Sequence, residues 1–209
     1  MSITLGTIVT ALLVAEVVCA AVEFLHDLWG YCVNAPGTLC TAEMSETDIK
    51  MQEQTRDMIH ETFGENIIES VQDMDAAQRI KSAQNLIQAL QKEYDLDVKV
   101  EFYGDDRHQC GFYNSRDNTL NLNVADLLSK TPERIQEFFD TIIHELRHAV
   151  QWKAIREAGY WNVEEERSKA WAKNFANYIS ASVDPRGYAN QLVEVDARTF
   201  ASGCLEGVF

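Results

Sequence analysis

Thr141-Ile142-Ile143-His144-Glu145-Leu146-Arg147-His148-Ala149-Val150 is the stretch whose reading decides the rest of the chain. As a helix it sets His144 and His148 one turn apart on one face, where two imidazoles can share a metal ion, with Glu145 beside them. This is the H-E-x-x-H spacing, in which the histidines hold zinc and the glutamate acts as a base. Two core histidines at four-residue spacing with an adjacent glutamate are not well explained as packing.

The helix itself is well marked. Thr131 is its expected N-cap, and Pro132 sits in the first turn, where its missing N–H is harmless. Phe139, Ile142, Ile143, Leu146, Ala149 and Val150 make it apolar over much of its surface, so it is expected to run to about Arg156 as the central helix.

Upstream, the periodicity changes from helical to alternating. Val98, Val100 and Phe102 alternate with Lys99 and Glu101, Leu120, Leu122 and Val124 alternate with Asn121 and Asn123, and 110–114 reads as a short strand between them. The Ser115-Arg116-Asp117-Asn118 turn predicts an antiparallel hairpin. A strand edge beside a metal helix can hold an extended peptide through its main chain. Before the strands, Ser45 with Asp48 predicts a capped helix to Phe63, ended by Gly64, and Asp75 predicts a second one to about Tyr94. The second His-Glu pair, His60-Glu61, has Gly64 where a metal site needs histidine, so it reads as an ordinary helix end.

Downstream, Trp171, Phe175, Tyr178 and Ile179 form a helical stripe read as packing, ended by a turn at Asp184-Pro185-Arg186-Gly187. The segment 188–201 reads as one helix with Val193, Ala197, Phe200, Ala201 and Cys204 on its buried face. It matters because a catalytic zinc keeps three protein ligands and an open position. Glu194 and Asp196 lie on opposite margins of that face, and each is also readable as an ion-pair partner of Arg147 or Arg198.

The combination of His144-Glu145-Leu146-Arg147-His148 with a later Glu194-Val195-Asp196-Ala197 helix resembles the small zincin-like metallopeptidases of the glutamate-ligand type, the gluzincins. It is similar to bacterial proteins with HELRHAxQ and a downstream VEVDA helix, over about residues 97–205. The resemblance implies an α+β fold with a small, mainly antiparallel sheet packed on the central helix. It implies zinc held by His144, His148 and Glu194, with Asp196 as an alternative ligand or supporting partner. Where the family carries a further acid four residues after the ligand glutamate, this chain has Arg198. Peptide deformylases share H-E-x-x-H but take an upstream cysteine as third ligand. Cys110 lies upstream here without that family's glycine and glutamine signatures.

The chemistry expected from these residues is peptide-bond hydrolysis with Glu145 as general base and Tyr188, Tyr178 or His108 stabilising the oxyanion, Tyr188 being the residue assigned. The competing expectation is a metal-binding regulatory module without peptidase activity. Thirty-three acidic against eighteen basic residues, a net charge of -15, argue against nucleic acid and anionic membrane surfaces as partners and for a cationic or neutral one, while the peptide or protein substrate is what the resemblance implies. Five cysteines without a C-x-x-C pair read as mostly free thiols.

Residues 3–22 are apolar or small except for Glu16, about 30 Å long as a helix, and have no Lys or Arg before them. They read as a buried helix or as a membrane anchor, with no secretory signal, so the expected location is cytoplasmic or membrane-associated. The expected division is an apolar helix and linker over 1–44 and a zincin-like domain over 45–209, helical over 45–96 and carrying sheet and catalytic helices over 97–209.

Overall fold

A computed structural model describes residues 40–104 and 109–209. The apolar segment 3–22, most of the linker and His108 lie outside the described residues.

The first helix among the described residues is α1 (Glu46–Phe63), whose start follows the sequence reading closely. Ser45 Oγ accepts from the Asp48 amide, and Asp48 Oδ2 accepts from the Ser45 amide at 2.9 Å, closing a capping box. Gly64, at φ +79°, ends the helix in a backbone region that an L side chain rarely enters. After a short α2 (Ile67–Asp73), α3 (Ala76–Glu93) starts from a second capping box, between Asp75 and Gln78. Ala83, Leu86, Ile87 and Leu90 on α3 face the core together with Ile59 and Phe63 of α1.

Three strands follow: β1 (Lys99–Tyr103), β2 (Gly111–Asn114) and β3 (Thr119–Asn123). β2 and β3 form the expected antiparallel hairpin, with Gly111 opposite Leu122 and Asn114 opposite Thr119. The expected mainly antiparallel sheet is corrected: the order is β1-β3-β2, and β1 runs parallel to β3, so the sheet is mixed. Alternation tells which face a residue takes, but not which strand lies next door. β3, with Leu120 and Leu122 both fully buried, is the strand that takes the centre. Val124, expected at the end of this strand, instead opens the short helix α4 (Val124–Leu127), because Asn123 Oδ1 caps the Ala125 amide at 3.0 Å.

The central helix α5 (Pro132–Arg156) has the bounds that its sequence predicts. It packs on α8 (Leu192–Leu205), on β2 and on the single helical turn α4. Gly111 permits the close approach of β2, since a Cβ there would lie 2.8 Å from Thr141 Cγ2 and 2.7 Å from the Asn121 carbonyl oxygen. That approach brings the edge strand alongside the histidine-bearing turn.

Beyond a 3-10 turn at Tyr160–Asn162 lies α6 (Glu165–Ala176). The expected stripe runs past its end: Tyr178 and Ile179 lie outside the helix. Gln191 ties this segment down, accepting from the Ile179 amide at 3.1 Å and donating to the Ile179 carbonyl at 3.0 Å. The single helix expected over 188–201 is likewise two. Asp184 caps a short α7 (Pro185–Asn190), Gln191 is extended at ψ 148°, and α8 begins at Leu192. One large apolar core joins α1, α2, α3, the sheet, α5 and α8, and a small cluster of Ala154, Trp171 and Val193 seats α6. The chain is α+β and mostly helical. No helix among the described residues is long and apolar enough to cross a membrane.

Candidate metal centre

α5 presents His144 and His148 from consecutive turns, with ring centroids 4.8 Å apart. Glu194, in the first turn of α8, enters between them from the facing helix. His144 Nε2 lies 3.1 Å from Glu194 Oε2, and His148 Nε2 lies 3.3 Å from Glu194 Oε1. All three side chains are buried, and one ligand atom from each falls within 4.8 Å of the others. Two imidazole nitrogens and a carboxylate oxygen converging on one point form a donor set suited to a divalent ion that accepts mixed nitrogen and oxygen ligands. The residues therefore fit the group that the motif implies.

Electrostatics agree with this arrangement. Burial opposes ionisation of Glu194, but the His148 charge and hydrogen bonds from both histidines hold its carboxyl well below the usual range. Burial would likewise lower the His148 pKa, yet Glu194 and Glu145 push it up to about 9, so a cation binding here displaces a proton. Position at the start of α8 adds the favourable end of a helix dipole to the Glu194 charge.

Glu145 lines the same cleft as the histidines and reaches towards the sheet. Its Oε2 accepts from the Tyr113 backbone amide of β2 at 2.9 Å. Burial is the main cause that raises its pKa, with the histidine charges and the Tyr113 amide opposing and Glu194 adding to the rise.

Tyr178 Oη donates to Glu194 Oε1 at 2.6 Å, and Tyr188 lies within hydrogen-bonding reach of both Glu194 and Tyr178. Burial and the Glu194 charge push both phenols upward, so they remain protonated donors. The structure thus brings together His144, Glu145, His148, Glu194, Tyr178 and Tyr188.

Asp196 is not part of this group. It forms a two-pronged pair with Arg147, Nε to Oδ2 at 2.8 Å and Nη2 to Oδ1 at 3.1 Å, in the buried layer behind the histidines. The ion-pair role open to either acid is thus taken by Asp196 with Arg147. Arg198 donates to the Ala189 carbonyl at 2.7 Å and lines the cleft.

The cleft over the site has a volume of about 600 Å³. β2 forms one wall; the other carries Trp152, Phe175 and Tyr178 as a stacked row, with successive ring centroids 4.6 and 6.4 Å apart. Cys110 also lines it, but burial and the neighbouring Glu137 and Asp126 push its thiol pKa up, which disfavours the thiolate that a metal ligand requires.

Gln151, Asp48 and Arg167 are the site-supporting residues that the sequence reading missed. Gln151 was visible in principle, being three residues after His148 and so on the same helical face. Nothing local marks Asp48 and Arg167, which approach from helices distant in sequence. No family model, curated protein or solved structure matches the chain.

Proposed function

We propose that the protein is a zinc-dependent peptidase working through His144, His148 and Glu194 as ligands and Glu145 as general base. The observation that carries this reading is the convergence of the two histidines and Glu194 on the floor of an open cleft, with Glu145 beside them. A zinc ion bound there would lower the pKa of its water towards about 7 and polarise a carbonyl oxygen.

The remaining work falls to the chain. Glu145, fixed through Oε2 by the Tyr113 amide, has Oε1 to take the proton of the attacking water, then passes that proton to the leaving amine. Tyr178 and Tyr188 supply protonated donors on the cleft wall for charge developing on the carbonyl oxygen. An extended peptide fits along edge strand β2, with an apolar side chain against the Trp152, Phe175 and Tyr178 row.

The test is to incubate the full chain, loaded with zinc, with a peptide library and identify products by mass spectrometry. Cleavage that Glu145→Gln abolishes while zinc stays bound supports the proposal. Zinc binding without cleavage of any peptide would sink it.

A further inference from the structure

We propose that Gln151 is a positioning residue that fixes which nitrogen of His148 faces a bound metal, and that Asp196 in turn fixes Gln151. This rests on the metal-binding reading above. The surroundings of the Gln151 amide dictate its orientation. Gln151 is fully buried. Its Nε2 donates to the Val193 carbonyl oxygen at 3.0 Å and to Asp196 Oδ2 at 2.7 Å. Both partners are pure acceptors, so exchanging the amide nitrogen and oxygen would set an oxygen against two oxygens in a buried place. The orientation shown is the one that satisfies all three partners.

With both amide protons committed, Oε1 can only accept. It lies 2.8 Å from His148 Nδ1. That contact is a hydrogen bond only if Nδ1 carries a proton, so Nε2 is the nitrogen left to give up its proton and ligate when a metal binds. Nε2 is the nitrogen facing Glu194 Oε1, at 3.3 Å. The ring is thereby held in the tautomer that ligates through Nε2.

Asp196 is itself anchored beyond any choice by Gln151. Arg147 grips both its oxygens, and Arg167 Nη2 reaches Oδ1 at 2.6 Å. Asp48 on α1 closes the set, 2.7 Å from Arg147 Nη1 through Oδ1 and 2.7 Å from Arg167 Nη1 through Oδ2. The Arg147 guanidinium lies 4.5 Å from the Phe200 ring centre and 5.6 Å from that of Trp171. Two acids and two arginines from four helices thus hold the acceptor that orients one ligand's supporting amide. The Arg147 and Gln151 positions, one before His148 and three after it, make the segment from His144 to Gln151 a single unit.

The test compares the full chain with Gln151→Met, which keeps shape but removes the polar atoms, and Gln151→Glu, whose carboxyl group can accept from Nδ1–H and, protonated, donate to Asp196. Zinc affinity is read by competition with a chromophoric chelator, and histidine side-chain nitrogens by ¹⁵N NMR of the zinc-loaded chain. In the parent, the His148 Nδ1 is expected to bear a slowly exchanging proton. Gln151→Met is expected to weaken zinc by about 10- to 100-fold and to lose that slow exchange, while Gln151→Glu restores most of both. Zinc coordinated through His148 Nδ1 in the parent overturns the proposal whether or not any variant folds. So does a Gln151→Met chain that keeps parental affinity and spectrum. A parent chain that binds no zinc overturns the peptidase reading and this inference together, whereas loss of neither signal in Gln151→Met overturns this inference alone.

Discussion

The backbone amide of Tyr113 donates to Glu145 Oε2 at 2.9 Å, joining the edge strand of the sheet to the residue between the two histidines. A carboxylate held by one oxygen keeps the other at a defined place, which is what proton transfer at a fixed distance requires. The contact depends on β2 lying against α5, and hence on the absence of a side chain at Gly111.

Shortening the base should therefore be costly even though its charge is kept. Glu145→Asp is expected to lose the reach to either the Tyr113 amide or the water, and to lower kcat by about 100-fold. Zinc content, measured by atomic absorption, should not change. Steady-state kinetics on a cleaved peptide decides the point, and activity within a few-fold of the parent would refute this role for the Tyr113 contact.

The two acids of α8 should separate by the property each controls. Glu194→Ala is expected to strip zinc from the chain while leaving the fold intact, as is His148→Ala. Asp196→Ala should cost about 3 to 5 kcal/mol of stability, because it leaves the buried Arg147 without its main partner, and should weaken zinc far less than Glu194→Ala, acting only through Gln151. Chelator competition and chemical denaturation measure the two effects. Parental zinc affinity in Glu194→Ala would remove Glu194 from the ligand set.

Tyr178→Phe and Tyr188→Phe each remove a hydroxyl without disturbing the ring. If either phenol meets the developing oxyanion, its variant should lose about 100-fold in kcat with little change in KM. A phenol that only braces Glu194 would show its effect in zinc affinity instead.

Acid stability should follow Asp48. Burial opposes its charge, but Arg147 and Arg167 hold its carboxyl below the usual carboxylate range. A carboxyl depressed in the folded state contributes stability above its unfolded pKa, about 3.9, and loses it as pH falls through the folded value. Asp48→Asn is expected to cost about 3 kcal/mol at pH 7. Thermal melts of parent and variant should differ by a constant amount from pH 7 to about 5, and the gap should narrow progressively as pH falls below about 4 towards the folded value. A gap that persists unchanged at lower pH would contradict the assignment.

Local chemistry was enough to read much of this chain. Ser45 with Asp48, Asp75 and Thr131-Pro132 mark helix starts because they satisfy or dispense with orphan amides within one turn, and the observed helices begin where they say. His144 and His148 were legible as a pair because helical geometry alone brings them together. Choosing between Glu194 and Asp196 was different. Both are buried on α8, and what separates them is which of His144, His148 or Arg147 each one meets across the helix interface. That depends on how α8 is rotated and displaced against α5. The same limit hid the parallel pairing of β1 with β3, the break at Gln191 and the Gln151 to Asp196 contact. Periodicity and capping act within a few residues and determined the elements and the histidine pair. Contacts between residues some 45 to 50 positions apart are set by packing, and these decided the third member of the group and the layer that supports it.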